Sequence, residues 1–244
     1  MGRRDAAWQD DETVRYYLDS VRAAIPFAAE QVAVMLRLVG QGRLPVSRFL
    51  DVGCGDGFLS AAMLRAYPGA EAVLVDFSEP MLDAAKARLG ERVPAPVLVT
   101  ADLATPSWLD AVAERAPFDA IVSGFAIHHL EDGRKRGLYG ELLALLAPGG
   151  AFVHDEHVAP EAAWIARAFD DGMIDAVWDH GRRDRPALTR EESAAAYANR
   201  ADREANRLAP LEAQCDWLRA AGFVDASAPF RWYALAVFGG YRPR

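Results

Sequence analysis

The 244-residue chain is poor in cysteine, in long apolar runs and in positive charge. Its two cysteines, Cys54 and Cys215, lie far apart and form no CxxC pair. That spacing argues against a disulfide framework and a cysteine-based zinc site, and for a reducing compartment. The longest nearly apolar run, LLALLAPGGAFV, is broken by Pro148, Gly149 and Gly150, well short of the roughly 20 apolar residues a spanning helix needs. The N-terminal MGRRDAAWQDDE carries no apolar stretch of the kind a secretory signal requires. A soluble, cytoplasmic protein is the expectation. With 27 Lys+Arg against 35 Asp+Glu the net charge is −8, which disfavours non-specific nucleic-acid binding and a polybasic membrane anchor.

Divided by region, the charge is uneven. Residues 51–158 carry 8 basic and 16 acidic side chains, while the flanking segments are close to neutral. The same block alternates short apolar runs at 48–52, 72–76, 96–100, 118–123 and 150–154 with helix-like stretches at 57–67, 79–90, 107–115 and 134–147. Such alternation predicts βαβ units and an α/β fold with an open, doubly wound parallel sheet covered on both faces. Ahead of it, residues 13–40 read as amphipathic helix interrupted at Pro26. Behind it come helical stretches at 160–178, 188–207 and 210–221 and a closing hairpin in VDASAPFRWYALAVFGG. The expected organisation is an N-terminal helical segment (1–44), a core (45–158), a helical lid insertion (159–208), and a final helix with the closing hairpin (209–244).

The most informative segment is FLDVGCGDGFLSAAML, residues 49–64. An apolar strand ends at Asp51 and passes through Gly53, Gly55 and Gly57 into a helix beginning near Phe58. Alternating glycines allow a tight turn and close approach of a ligand, and the first N–H groups of the helix face that ligand. The dinucleotide pattern GxGxxG fails because its third glycine position is Phe58, and no GK[ST] of a P-loop follows. Asp51 suits a cationic group, so the ligand is expected to carry both charges locally, as an amino acid does. Asp76 ends the second strand run, where a carboxylate can accept both hydroxyls of a ribose. Asp102 ends the third, where it can accept from an exocyclic amine such as that of adenine. Either acid alone also reads as a loop or N-cap residue; their order after successive strands is what carries weight.

Through LDVGCGDG, VDFSEPML, ADLA, FDAIVSGFAIHHL and LLAPGGAFV, residues 45–158 resemble the class I S-adenosylmethionine (SAM)-dependent methyltransferases. The resemblance implies a Rossmann-like sheet of seven strands with the last hairpin antiparallel, and SAM as cofactor. Carried over by position, Gly53, Gly55 and Gly57 border the methionyl part, with Asp51 meeting it directly or through water. Asp76 binds the ribose, and Asp102 with Leu103 meets the adenine; Cys54, Phe77 and Met81 stand in the same motifs. RAAIPFAAEQ, FAIHHLED, Glu156 and LEAQCDWLRAAGF loosely resemble the branch of tRNA wobble-uridine modification and carboxy-SAM synthesis.

Methyl transfer is an in-line displacement, in which the protein's main task is to align the acceptor, with a base needed only for an acceptor that must lose a proton. The candidate catalytic residues are His128 and His129 after the fourth strand, and Glu156 after the fifth. In the sequence HDEH (154–157), alternation would put His154 and Glu156 on one face and Asp155 and His157 on the other. A metal at this cluster is the weaker reading, because the spacing matches no standard ligand set. The acids at 170, 171, 175 and 179 with Arg182, Arg183 and Arg185 read as a solvated face or a carboxylate clamp. Tyr16, Tyr17, Trp232 and Tyr233 are pocket-wall or core candidates, and Arg200, Arg203 and Arg207 are cations available to an added carboxylate. The expected reaction is methyl transfer to O or N of a small-molecule acceptor, with carboxy-SAM-type chemistry as the alternative and a non-catalytic SAM-binding regulator less favoured. A helical N-terminus and lid are compatible with a homodimer.

Overall fold

A computed structural model describes residues 6–42, 44–92 and 94–244; the first five residues of the expected N-terminal segment lie outside them. Five parallel strands, β1 (Arg48–Val52), β2 (Glu71–Asp76), β3 (Val97–Thr100), β4 (Phe118–Gly124) and β5 (Leu146–His157), are followed by the hairpin β6 (Val224–Trp232) and β7 (Leu235–Tyr241). They form one seven-stranded sheet in the order β3-β2-β1-β4-β5-β7-β6, with β7 antiparallel to both β5 and β6. This is the doubly wound sheet with an antiparallel closing hairpin that the sequence predicts.

The helices are α1 (Asp11–Tyr16), α2 (Ala28–Gly40), α3 (Phe58–Ala66), α4 (Glu79–Leu89), α5 (Asp132–Leu145), α6 (Ala163–Gly181), α7 (Arg190–Ala198) and α8 (Leu211–Ala221). Period-2 alternation divides the strand residues between two cores. Leu50, Val52, Val73, Val75 and Phe152 pack on Leu138 and Leu142 of α5 and Leu218 of α8. Phe49, Leu74, Val122 and Val153 pack on Met35 of α2, Met63 of α3 and Leu82 of α4. Burial of one such aliphatic side chain contributes about 1.5–3 kcal/mol, so the sheet is held from both faces. Among the described residues no single helix is long and apolar enough to cross a membrane.

Several expected boundaries move, each for a local reason. The stretch 107–115 is two 3-10 turns, Pro106–Ala111 and Ala113–Arg115, rather than a helix. Its apolar side chains are too few for a helical stripe, with only Trp108 and Val112 fully buried. β5 begins at Leu146, earlier than its apolar pattern suggests, and takes in Pro148 and two glycines where its pairing with β4 shifts register; a proline is tolerated in a sheet at such an irregularity. The expected helix over 188–207 ends at Ala198, and a separate 3-10 turn, Ala201–Ala205, follows. Ahead of β1 the chain breaks at Pro26 as expected, with a π turn at Tyr17–Val21 and a 3-10 turn at Arg22–Ala24 before the break.

The glycines after β1 serve packing as well as turning. Gly57 caps α3 with φ +72°, and an added Cβ would lie 3.2 Å from the Ala85 Cβ of α4. Left-handed backbone costs a non-glycine residue about 1–2 kcal/mol. Gly57→Ala is therefore expected to lower stability by about that amount, seen as a lower urea midpoint with an unchanged slope; an unchanged midpoint would show that neither the backbone nor the α3–α4 contact needs glycine.

Candidate active site

The strand order reverses between β1 and β4, and in such sheets the carboxyl ends of the strands open into a ligand crevice at that point. Here the crevice is a cleft of about 860 Å³. Its floor is Asp51, Gly53, Cys54 and Gly55 from the β1–α3 turn, and its sides carry Asp76, Phe77 and Met81, then Asp102 and Leu103. Nine of the ten expected donor-site residues thus meet at one cleft. Gly57 does not line it; it lies behind, against α4. Gly53 has a packing reason of its own, since a Cβ there would collide with that of Ala126 at 2.2 Å.

Asp51 is fully buried. One carboxylate oxygen accepts from the Ser60 hydroxyl at 2.6 Å, and the other, Oδ1, has no partner among the described residues. Burial, aided by the nearby Asp76 and Asp56 carboxylates, pushes its pKa up to about 7. A buried unpartnered acceptor at a cleft floor is costly unless a ligand donor reaches it, and an ammonium group fits that need. Asp76 is held differently: its two oxygens accept from the Gly55 and Ser78 N–H groups, both at 2.9 Å. This fixes the glycine loop and the start of α4. Asp102 accepts from the Ala104 N–H at 2.8 Å, which orients it at the rim.

The cleft also has walls that the motifs did not signal. Arg22, the one Lys or Arg among its described lining residues, lies over the Phe58 ring at 4.0 Å; burial pushes the Asp155 carboxyl up to about 8 even though the Arg22 charge acts to lower it. Trp8 closes the top, where its carbonyl accepts from the Ser78 hydroxyl and the neighbouring Gln9 amide donates to the Phe77 carbonyl at 2.7 Å. Phe125 adopts φ +52°, a strained conformation for a non-glycine residue. Arg22 and Trp8 belong to helical turns remote in sequence from the glycine loop, and only an arginine and an aromatic in an N-terminal helical segment hinted at them.

A second cavity of about 480 Å³ adjoins the first. Trp8, Tyr17, Phe125 and His129 line both. Beyond this shared wall are His128, His157, Arg200, Asp202 and Asn206, with an apolar side of Val21, Ile25, Phe169, Met173 and Leu235. Residues from α6 and from the end of α7 and the turn after it therefore help to enclose it. Arg200 lies over the Tyr197 ring at 4.1 Å and bonds Asp202 at 3.2 Å.

His128 and Glu156 meet, with Nδ1 and Oε1 2.5 Å apart. The carboxylate also accepts from the backbone N–H of His128 at 3.1 Å and of His157 at 2.9 Å. Glu156 is completely buried and lines neither cavity, so it reaches the second cavity only through the His128 ring that it holds. Burial drives His128, His129 and His157 each down to about 3, and all three are neutral at physiological pH. Burial likewise holds the Glu156 carboxyl above its ordinary range. His154 and Glu156 do share a face, 4.0 Å apart, but His154 is stacked among Phe152 and Phe238 in the core. Among the described residues no group of three or more His, Cys, Asp or Glu is arranged to hold a metal.

The lid charges pair on the surface: Arg190 with Asp171 and Asp175, Arg182 with Asp179, and Arg203 with Asp170. Arg207 pairs with Glu131 outside the second cavity. Of the aromatic candidates Tyr17 lines both cavities, and burial lifts its hydroxyl to about 12. Tyr16 and Tyr233 are exposed, while Trp232 packs on Phe169.

Residues 49–150 match the family model described as "Methyltransferase domain". The chain is 33% identical over 221 residues to trans-aconitate 2-methyltransferase of Methylobacterium radiotolerans, covering 80% of this chain and 79% of that protein. It is 34% identical over 140 residues to an uncharacterised methyltransferase of Mycobacterium bovis, covering 54% of this chain and only 64% of that relative's length. In fold it is similar to human N-acetylserotonin methyltransferase solved in complex with SAM, at a TM-score of 0.57 and 14% identity over 99% of this chain and 59% of that one. The ordered carboxylates, the sheet and these relatives agree: the chain belongs to the class I SAM-dependent methyltransferases.

Proposed function

We propose that the protein transfers a methyl group from SAM to an oxygen or nitrogen of a small molecule held in the second cavity. The observation that carries this is the wall shared by the two cavities at Trp8, Tyr17, Phe125 and His129. A donor seated on the glycine loop would present its sulfonium side toward that wall, and an acceptor beyond it would be in line. The bound donor supplies an already activated methyl group. The protein's residues hold and orient: Asp51 takes the ammonium, Arg22 the carboxylate, Asp76 the ribose and Asp102 the adenine. A further reading, chemistry on SAM itself as in carboxy-SAM synthesis, is favoured by one observation, the buried cation Arg200 in the second cavity. Mass spectrometry of the nucleoside that co-purifies with the protein separates the two, because methyl transfer leaves S-adenosylhomocysteine and the alternative leaves a carboxylated sulfonium.

Three outcomes follow for the donor and the histidine pair. Asp76→Ala is expected to weaken SAM binding by about 1–3 kcal/mol, the scale of a lost charged hydrogen bond; unchanged affinity by calorimetry would remove Asp76 from the donor site. The Asp51 carboxyl, pushed up to about 7 in the free protein, binds a cation best when ionised. SAM affinity should therefore rise as pH rises through about 7, whereas Asp51→Asn should flatten the profile. Stability of the free protein runs the other way. A carboxyl with a raised folded pKa stabilises when protonated, so this contribution is lost between the ordinary value of 3.8 and about 7. A pH-independent affinity in the parent protein would contradict the role given to Asp51. Finally, His128→Ala and Glu156→Gln should each lower acceptor kcat/KM about tenfold or more while SAM affinity stays within about twofold. Equal turnover would exclude the pair from acceptor handling.

A further inference from the structure

At the wall between the two cavities, two buried polar atoms lack any hydrogen-bond partner among the described residues: Trp8 Nε1 and His129 Nδ1. Their rings are 5.8 Å apart, and both residues line both cavities. Trp8 is only 6% exposed. An indole N–H can only donate. Burial keeps the His129 ring neutral, and a neutral imidazole has one ring nitrogen without a proton that can accept; Nδ1 is the buried ring nitrogen that no described residue bonds. The junction thus offers one donor and one acceptor side by side, in a place where leaving either unmatched is costly.

We infer that this pair recognises a hydroxyl group on the methyl acceptor, with Trp8 Nε1 donating to its oxygen and His129 Nδ1 accepting its proton. The inference rests on the methyl-transfer reading and narrows it to one acceptor chemistry. A hydroxyl oxygen has two lone pairs, so one can accept from Trp8 while the other attacks. A carboxylate has no proton to offer Nδ1 and would set two lone pairs against each other. A neutral amine has a single lone pair, and the Trp8 N–H would engage the pair needed for attack. A carbon acid has no lone pair for Trp8 at all. In the step itself the O–H proton passes to His129 Nδ1 and a new O–CH3 bond forms. The S–CH3 bond breaks with its electron pair remaining on sulfur, giving a methyl ether, a neutral thioether and an imidazolium. The apolar side of the second cavity, Val21, Ile25, Phe169 and Met173, suits a flat apolar body carrying that hydroxyl. The acceptor class is therefore a phenol or a similarly hydroxylated ring.

The test uses phenol, benzoate and aniline as matched single-ring probes, titrated by calorimetry into the full chain saturated with S-adenosylhomocysteine and assayed for turnover with SAM. Phenol should bind at least tenfold more tightly than the other two and be the one methylated. Trp8→Phe keeps an aromatic ring and deletes the donor; measured on protein saturated with S-adenosylhomocysteine, it should weaken phenol about tenfold. His129→Asn keeps a hydrogen-bond acceptor near the Nδ1 position without a usable base, so phenol affinity should stay within threefold while kcat falls about a hundredfold. Equal or better binding of benzoate or aniline, no binding of phenol by a protein that binds S-adenosylhomocysteine, or a Trp8→Phe variant with unaltered phenol affinity would each overturn the inference. Failure of the parent protein to bind S-adenosylhomocysteine would instead overturn the methyl-transfer reading on which it rests.

Discussion

One carboxylate ties together the segments on which the site depends. Asp76, at the end of β2, accepts from the Gly55 N–H of the glycine loop and the Ser78 N–H at the start of α4. The Ser78 hydroxyl in turn donates to the Trp8 carbonyl, which brings the N-terminal turn down over the cleft. The residue expected to meet the ribose is thus also the anchor of the glycine loop at the cleft floor and, through Ser78, of the wall above it. A carboxylate accepting from backbone N–H groups is well suited to this double duty, because charge-assisted bonds of that kind are among the stronger ones available.

The wall so positioned divides the interior into two spaces of different character. The cleft over the glycine loop holds a carboxyl and a cation, Asp51 and Arg22, the two groups that the proposed seat for an amino-acid moiety needs. In the second cavity, burial strips the histidines of charge and leaves a neutral, directional surface with Arg200 and Asp202 at its edge. A cationic donor next to neutral imidazoles suffers no repulsion from them, and a neutral imidazole can accept a hydrogen bond. Glu156 lines neither space and holds the His128 ring from behind.

Much of this was legible in the sequence because it is local. Asp76 ends β2, while Asp51 lies one residue before the end of β1 and Asp102 just past the end of β3; the apolar runs announce these strands, and parallel pairing alone brings their ends to one edge. The glycines announced a tight turn, but not which of them borders the ligand. Gly53 and Gly57 are required by Ala126 and Ala85, neighbours that only the folded chain supplies. Trp8 and Arg22 were out of reach for the same reason, since no local pattern says where an N-terminal helix will land. The pairing of His128 with Glu156 spans 28 residues and two elements, so the sequence could nominate each without joining them. Arg200 lay in what read as one helix; its break after Ala198 turns that segment inward.

The central claim is that donor and acceptor meet across the wall formed by Trp8, Tyr17, Phe125 and His129. A crystal structure of the protein with S-adenosylhomocysteine tests it most directly. The account predicts the sulfur at that wall, facing the second cavity, with the adenine beside Asp102 and the ammonium on Asp51. A sulfur turned toward open solvent, or a nucleoside seated away from the glycine loop, would contradict it.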